Sequence, residues 1–379
     1  MHGAATTRGG EDRAVLYLAL ELGAKEWKLG FATGMGRRPR ERMVEGGDFE
    51  ALEEEIERAK RRFGLSGDTE VVSCYEAGRD GFWIHRFLDS IGVKNHIVDA
   101  SSIEVKRRGK KRKTDRLDLK GLVRMLIRYW GGERGVWSVV RVPSPEAEDA
   151  RHLHRELQTL KRDGTRVTNR IKAVLATQGV QGLELGPQFE EEVEQIELWD
   201  GLPMPGQVLK RVKREWATVV WLNELIRAVE KERRTLLRSS EDPAVAKVRQ
   251  LMSLRGIGLN SAWLYVMEFF GWREFRNRRE VGALAGLTPT PHQSGELEQE
   301  LGIDKAGNRH VRGMAIEIAW GWLRFQPESE LTRWYERRFG HGSKRIRRIG
   351  IVALARRLLI ELWRYLETGA LPEGALTQS

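Results

Sequence analysis

The sequence predicts an α/β domain, then a long helical arm, then a mainly α-helical C-terminal domain, and three observations predict it. Short apolar runs alternate with segments of helical period over residues 14–130. Apolar residues then recur at alternating steps of three and four through the middle of the chain. After a polar linker at 239–243 the pattern is helical again to the end, interrupted at 256–258, 289–291 and 340–342 by Gly and Pro. A chain of 379 residues is long enough for two to three domains. The boundaries expected are 1–140, 141–240 and 241–379.

The first domain opens on three strand-like runs, 14–21, 26–33 and 42–44, with a turn at Gly23, which reads as a meander. A helix is expected over 48–63 (Leu52, Ile56, Ala59), a buried strand over 70–75, a helix over 81–91 and a strand over 94–98. Alternation of this kind after a meander implies a sheet whose later strands are parallel. Residues 114–130 form the next helix, with Thr114 as N-cap and Leu119, Leu122, Leu126 and Tyr129 on one face. In the arm, Ala150, Leu153, Leu157, Leu160, Gly164, Val167, Ile171 and Val174 make one seam. Leu209, Val212, Trp216, Val219, Leu222, Ile226, Val229 and Leu236 make a second, with Arg233 in a seam position and an acidic segment (190–197) between the two. An antiparallel coiled-coil arm and a plain two-helix bundle fit this spacing equally well.

Lys and Arg number 65 against 54 Asp and Glu, a net charge of +11, which points to a polyanionic partner. Nucleic acid comes first and an anionic membrane surface second; no apolar stretch approaches the roughly 20 residues of a membrane span, and residues 1–12 carry no leader-like apolar region. Cys74 is the only cysteine, so an intramolecular disulfide and a multi-cysteine zinc site are excluded and a cytoplasmic location is expected. The 13 tryptophans are read mainly as packing residues.

Four acids of the first domain sit where chemistry explains them better than packing does. Glu21 and Glu76 end apolar strands, where the carboxyl edge of an α/β sheet places its sites. Asp115 and Asp118 are three apart at the start of the following helix, on its apolar face. Carboxylates gathered together repel one another and are stable around a cation, and an all-oxygen ligand set favours Mg²⁺ or Mn²⁺ over zinc. Just before them runs the tract Lys106, Arg107, Arg108, Lys110, Lys111, Arg112, Lys113, which reads as a phosphate clamp.

In the C-terminal domain, Gly256 and Gly258 flank Ile257 in a turn resembling a helix-hairpin-helix, where backbone N–H groups can approach a phosphate. Residues 285–295 read as a rigid loop presenting Ser294 as a candidate nucleophile, which needs a base or metal to activate it. Lys305, Asn308 and Arg312 open a helix with groups suited to phosphate, and Lys344 and Arg345 begin a basic run that continues through Arg347 and Arg348.

In this order the motifs Tyr17-Leu-Ala-Leu-Glu21, Cys74-Tyr-Glu76, Lys113-Thr-Asp115-Arg-Leu-Asp118, Arg255-Gly-Ile-Gly258, Ala285-Gly-Leu-Thr-Pro289 with Gln293-Ser294-Gly295, and Lys305-Ala-Gly-Asn308 resemble those of the transposases of the insertion sequence 110/1111 family, the DEDD recombinases. The resemblance covers nearly the whole chain. It implies an N-terminal RuvC-like, RNase H-fold domain whose carboxylates Glu21, Glu76, Asp115 and Asp118 hold Mg²⁺, a coiled coil used in assembly, and a C-terminal domain whose Ser294 joins the carboxylates in a composite site. The family's first carboxylate is usually Asp, and Glu21 stands there in this chain. The expected activity is cutting and rejoining of donor and target DNA through a phosphoserine intermediate, guided by a structured RNA, in a dimer or tetramer. A RuvC-type junction endonuclease and an inactive nucleic-acid scaffold are the alternatives.

Overall fold

A computed structural model describes residues 14–36, 38–78, 81–99, 102, 119–294, 297–305 and 307–378, with backbone alone over 290–294 and 297–301. The chain divides into two compact units, 1–142 and 143–379.

The first unit is a five-stranded sheet in the order β3-β2-β1-β4-β5. Strands β1 (Val15–Leu22), β2 (Glu26–Ala32) and β3 (Arg40–Glu45) form the antiparallel meander, and β4 (Glu70–Glu76) and β5 (Lys94–Val98) add in parallel beyond β1. The inner strands are apolar on both faces because both are covered. One face carries Leu16, Leu18, Leu20, Trp27, Leu29, Phe31 and Tyr75 against α1 (Phe49–Phe63) and α2 (Trp83–Ser90). The other carries Ala19, Ala32, Val72, Cys74 and Val98 against α3 (Leu119–Trp130). Small residues dominate this second face, so α3 lies close. A Cβ built on Gly30 would fall 2.3 Å from a methyl of Leu119, so only a glycine admits the helix at that approach. Thr114 to Asp118, expected as the start of this helix, lie outside the described residues.

The second unit begins with α4 (Pro145–Asp149), capped by Ser144, and runs directly into α5 (His152–Ala176). A short α6 (Phe189–Glu194) occupies the acidic segment, and α7 (Gly206–Ser239) returns along α5. The return is antiparallel: Lys161 pairs with Glu230 at 2.7 Å, and Arg170, further along α5, pairs with Glu215, earlier on α7. Leu157, Val167 and Ile171 of the first seam and Val212, Trp216, Val219, Leu222 and Val229 of the second are buried. Arg233 is buried too: its guanidinium lies 5.0 Å over the Trp263 ring and donates to Asn260 Oδ1 at 2.8 Å.

Next come α8 (Pro243–Met252) and α9 (Leu259–Tyr265), the latter continuing as a π-helical turn (Val266–Phe270), then α10 (Arg278–Leu284). Strands β6 (Pro289–Ser294) and β7 (Leu297–Ile303) form a hairpin, followed by α11 (Arg309–Phe325), α12 (Glu330–Tyr335) and α13 (Lys344–Thr368). Leu251, Ile257, Trp263, Phe269, Trp322 and Leu358 share one core. The rigid loop expected over 285–295 is corrected here, because from Pro289 the chain pairs as β6 with β7. Two prolines argue against an inner strand, but in a two-stranded ribbon each strand has an open edge on which a missing N–H costs nothing. A register irregularity between Pro289 and Pro291 accommodates them. No helix among the described residues is long and apolar enough to cross a membrane.

Candidate active site

The candidate carboxylates Glu21 and Glu76 lie on the sheet of the first unit. In the parallel pairing of β1 with β4, Leu20 faces Tyr75, so Glu21 and Glu76 are the next residues of adjacent strands at their carboxyl ends. Side chains alternate along a strand, which puts Glu21 with Tyr17 and Ala19, and Glu76 with Val72 and Cys74, on the face that α3 covers. Glu76 is exposed and Glu21 is 27% exposed in its side chain, with Lys28 Nζ at 3.4 Å from Oε2 across the β1–β2 ladder. A half-open pair of that length is weak. Neighbouring Cys74 is wholly buried, and burial pushes its thiol well up, so it is inert packing.

Asp115 and Asp118 lie outside the described residues, as does the whole tract from Lys106, Arg107 and Arg108 through Lys110, Lys111, Arg112 and Lys113. The residue after Asp118, Leu119, packs on Gly30, which pairs with Ala19 two positions before Glu21. Among the described residues no three acidic, His or Cys side chains gather closely enough to hold a metal. Asp99, which directly follows β5 at the same sheet edge, was missed in the sequence. Its signal was the one that marked Glu21 and Glu76, an acid directly after an apolar strand.

The candidate serine belongs to the second unit. Ser294 is the last residue of β6 and pairs with Leu297 beside the hairpin turn. Two sequence motifs meet at the foot of this hairpin. Lys305 N–H donates to Gly286 O at 3.3 Å, Asp304 N–H to Thr288 O at 2.9 Å, and Asn308 N–H to Leu284 O at 2.9 Å. Gly307 has φ +109°, and a Cβ there would come within 2.3 Å of Leu284 O, so the crossing requires glycine. Arg312 Nη1 donates to Lys305 O at 2.9 Å and fastens the same crossing.

Asn308 caps α11, its Oδ1 accepting from His310 and Val311 N–H, while its Nδ2 donates to Glu268 in the π-helical turn. Glu268 is 2% exposed and accepts from Arg155 Nε at 2.6 Å and Nη2 at 2.8 Å. Burial alone would raise this carboxyl; the hydrogen bonds and charge of Arg155, with Arg151 and Asn308, outweigh it and hold it below its usual range. Asn308 and Arg312 therefore brace the hairpin with the side chains that the sequence had suggested for phosphate.

The profile of the Transposase IS116/IS110/IS902 family matches residues 248–333, the span from α8 through the hairpin into α12. A protein of Sinorhizobium fredii named as a transposase, y4rJ, is 37% identical over 385 residues, covering 97% of this chain and 96% of that protein. This chain belongs to that transposase family. The transposase for insertion sequence element IS1111A of Coxiella burnetii is 24% identical over 65% of this chain and 64% of its own, and that for IS1328 of Yersinia enterocolitica 25% identical over 46% and 51%.

The remaining candidate nucleic-acid contacts of this family member are the glycine turn after α8 and basic residues around α12 and α13. Gly256 lies between α8 and α9 with φ +91° and packs on Phe325, while Gly258 is the N-cap of α9. Lys344 and Arg345 open α13 after the Ser343 cap, and residues 344–349 are all exposed. By contrast Arg333 and Arg337 both pair with Glu330, at 3.3 and 2.6 Å, so part of their charge is already neutralised.

Proposed function

We propose that this chain is the DNA transposase of an insertion sequence, cutting and rejoining DNA through a transient phosphoserine on Ser294. The observation that carries the reading is the placing of Glu21 and Glu76 side by side at the carboxyl ends of two parallel strands, on the face beneath α3. A meander followed by two parallel strands, in the order β3-β2-β1-β4-β5, supports an RNase H-like reading of the first unit.

Oxygen donors at such an edge fit a hard divalent ion, so Glu21 and Glu76 with Asp115 and Asp118 would hold Mg²⁺ or Mn²⁺. When bound there, the ion supplies charge neutralisation at the scissile phosphate. Ser294 Oγ forms a bond to phosphorus as its proton leaves and the bond from phosphorus to a DNA oxygen breaks, that oxygen leaving as a hydroxyl. A hydroxyl of the other DNA then attacks, the serine ester bond breaks, and Ser294 recovers its proton. Each step exchanges one phosphate ester for another, so no nucleotide triphosphate is needed. The rigid crossing of the two motifs at the hairpin foot would hold the serine in position. A structured RNA selecting donor and target, and a dimer or tetramer acting on four strands, complete the reading; the exposed start of α13 is a candidate contact for that RNA.

The test is to express the gene with its native flanking DNA and look for a denaturation-resistant protein–DNA adduct. Unaltered protein should give one, and Ser294→Ala and Asp118→Ala should both abolish it. Cutting that persists in Ser294→Ala without any adduct would replace this mechanism with a hydrolytic nuclease.

A further inference from the structure

A cavity of about 880 Å³ opens beside the foot of the β6–β7 hairpin, between α10, α11 and α13. Pro289 and Ile303, the register pair at the base of the hairpin, form part of its wall. The size is that of a small-ligand site. Its lining combines two chemistries seldom found together. Ile316, Ile349, Val352 and Ile360 supply an apolar floor, while Arg278, Arg279, Lys305, Arg356 and Arg357 supply five cations, with no acidic residue in the lining. None of the five forms an ion pair among the described residues.

Two details point to an occupant. Arg356 lines the cavity while its Nε is buried against α10 without a hydrogen-bond partner among the described residues, so the guanidinium is held in place and spends no Nε hydrogen bond on the protein. Its position depends on Gly282 of α10, where a Cβ would come within 2.9 Å of that nitrogen. Arg357 lies over Trp334, its guanidinium carbon 4.3 Å from the ring centroid, and so adds a planar cation to an aromatic surface. Phosphates along a duplex need cations but no apolar cavity; a base needs an apolar or aromatic face only once it has left its stack.

We propose that this cavity seats one unpaired nucleotide, its base on the Trp334–Arg357 platform and the apolar floor, its phosphate on Arg356 and the neighbouring cations. The inference rests on the reading of the chain as one that handles nucleic acid, and not on the chemistry of Ser294. The same chemistry serves an extruded DNA base or an unpaired RNA base.

The experiment measures binding of the full-length protein to three short duplexes: fully paired, with one bulged nucleotide, and with the same bulge abasic. Each is made in DNA and in RNA. The base-bearing bulge should bind roughly tenfold tighter than the abasic one, within the range for stacking one base on an aromatic platform. Arg356→Ala combined with Arg357→Ala should erase the difference, and Ala353→Phe, which fills the cavity without removing charge, should do the same with melting temperature checked for each. Arg337→Ala combined with Arg338→Ala removes equal charge elsewhere and should weaken all three duplexes alike. A preference seen in DNA alone or RNA alone supports the pocket and identifies the source of its nucleotide. Equal binding of base-bearing and abasic bulges overturns the proposal, as does a change in oligomeric state with Ala353→Phe, which would assign the cavity to a second copy. Should adducts still form while the bulges bind alike, only the pocket fails; if no duplex binds at all, the transposase reading fails with it.

Discussion

Asn308 gives its side-chain amide to Glu268 at 3.4 Å while its carbonyl oxygen caps the first turn of α11. Because Glu268 also takes both hydrogen bonds of Arg155, one buried carboxylate joins the arm, the π-helical turn and the foot of the hairpin that bears Ser294. The hairpin is a two-stranded ribbon, marginal by itself. Its placement therefore depends on this network and on the crossing at Gly307.

Asn308→Ala removes a helix cap and a partner of Glu268, and should lower stability by about 1–2 kcal/mol in urea unfolding. Asn308→Asp is the more telling substitution. Asp caps a helix as well as Asn does, so capping alone predicts no change; beside Glu268 it sets two carboxylates together and should cost at least as much as Ala.

Arg155→Leu should cost about 2 kcal/mol or more, because Glu268 is left charged and buried. Pairs broken in this way cost roughly 3–5 kcal/mol when fully enclosed, and Arg155, 45% exposed in its side chain, calls for the lower figure. Glu268→Gln in the Arg155→Leu background should restore part of the loss, read from the unfolding midpoint.

Stability of the second unit should fall with acid before carboxylates titrate. His154 on α5 is 3% exposed, and burial, then the Arg233 charge, push its imidazole down to about 4 from 6.5 against the opposing pull of Glu268; His310 and Lys161 push the same way as Arg233. Between pH 6.5 and 4 the unfolded chain binds a proton that the folded one refuses, so stability drops as pH falls, by roughly 3 kcal/mol over the window. Below about 4.5 the depressed Glu268 carboxyl adds to the loss as it protonates. His154→Leu should flatten the melting profile between pH 6.5 and 4.5; an unchanged slope would rule His154 out as its source.

Gly307→Ala should destabilise by about 2 kcal/mol or more, since it combines a positive φ with a Cβ inside contact distance of Leu284 O. The adduct yield should fall further than the loss of folded protein accounts for, because the hairpin foot moves. Quantifying adduct per folded molecule separates the two.

At the sheet edge, Glu76→Gln should reduce strand transfer by roughly a hundredfold or more with little change in melting temperature, as expected for an exposed carboxylate that acts on charge rather than packing. Glu21→Asp keeps the charge and should retain activity measurable in the same strand-transfer assay, whereas Glu21→Ala should not.

Much of the first unit was legible in residues 14–98, because strands buried on both faces must be almost wholly apolar and a lone acid at the end of each is then conspicuous. Glu21 and Glu76 were singled out in this way, and Asp99 was open to the same reasoning. Arg233 in the seam was legible as an interruption, but that it caps Trp263 and reaches Asn260 follows only from what packs there. The hairpin was not legible, since Pro289 and Pro291 mask a strand whose pairing partner lies beyond a turn, and edge strands need no alternating pattern of their own. Composition determined the charge of the chain, and local spacing determined most elements and which acids end apolar strands, because these depend on neighbours in sequence. Tertiary structure alone decided that Glu21 and Glu76 adjoin, that Asn308 and Arg312 brace the hairpin, and that five cations converge on an apolar cavity. Parallel pairing, buried hydrogen bonds and cavities are all made between residues far apart in the chain, where no periodicity records them.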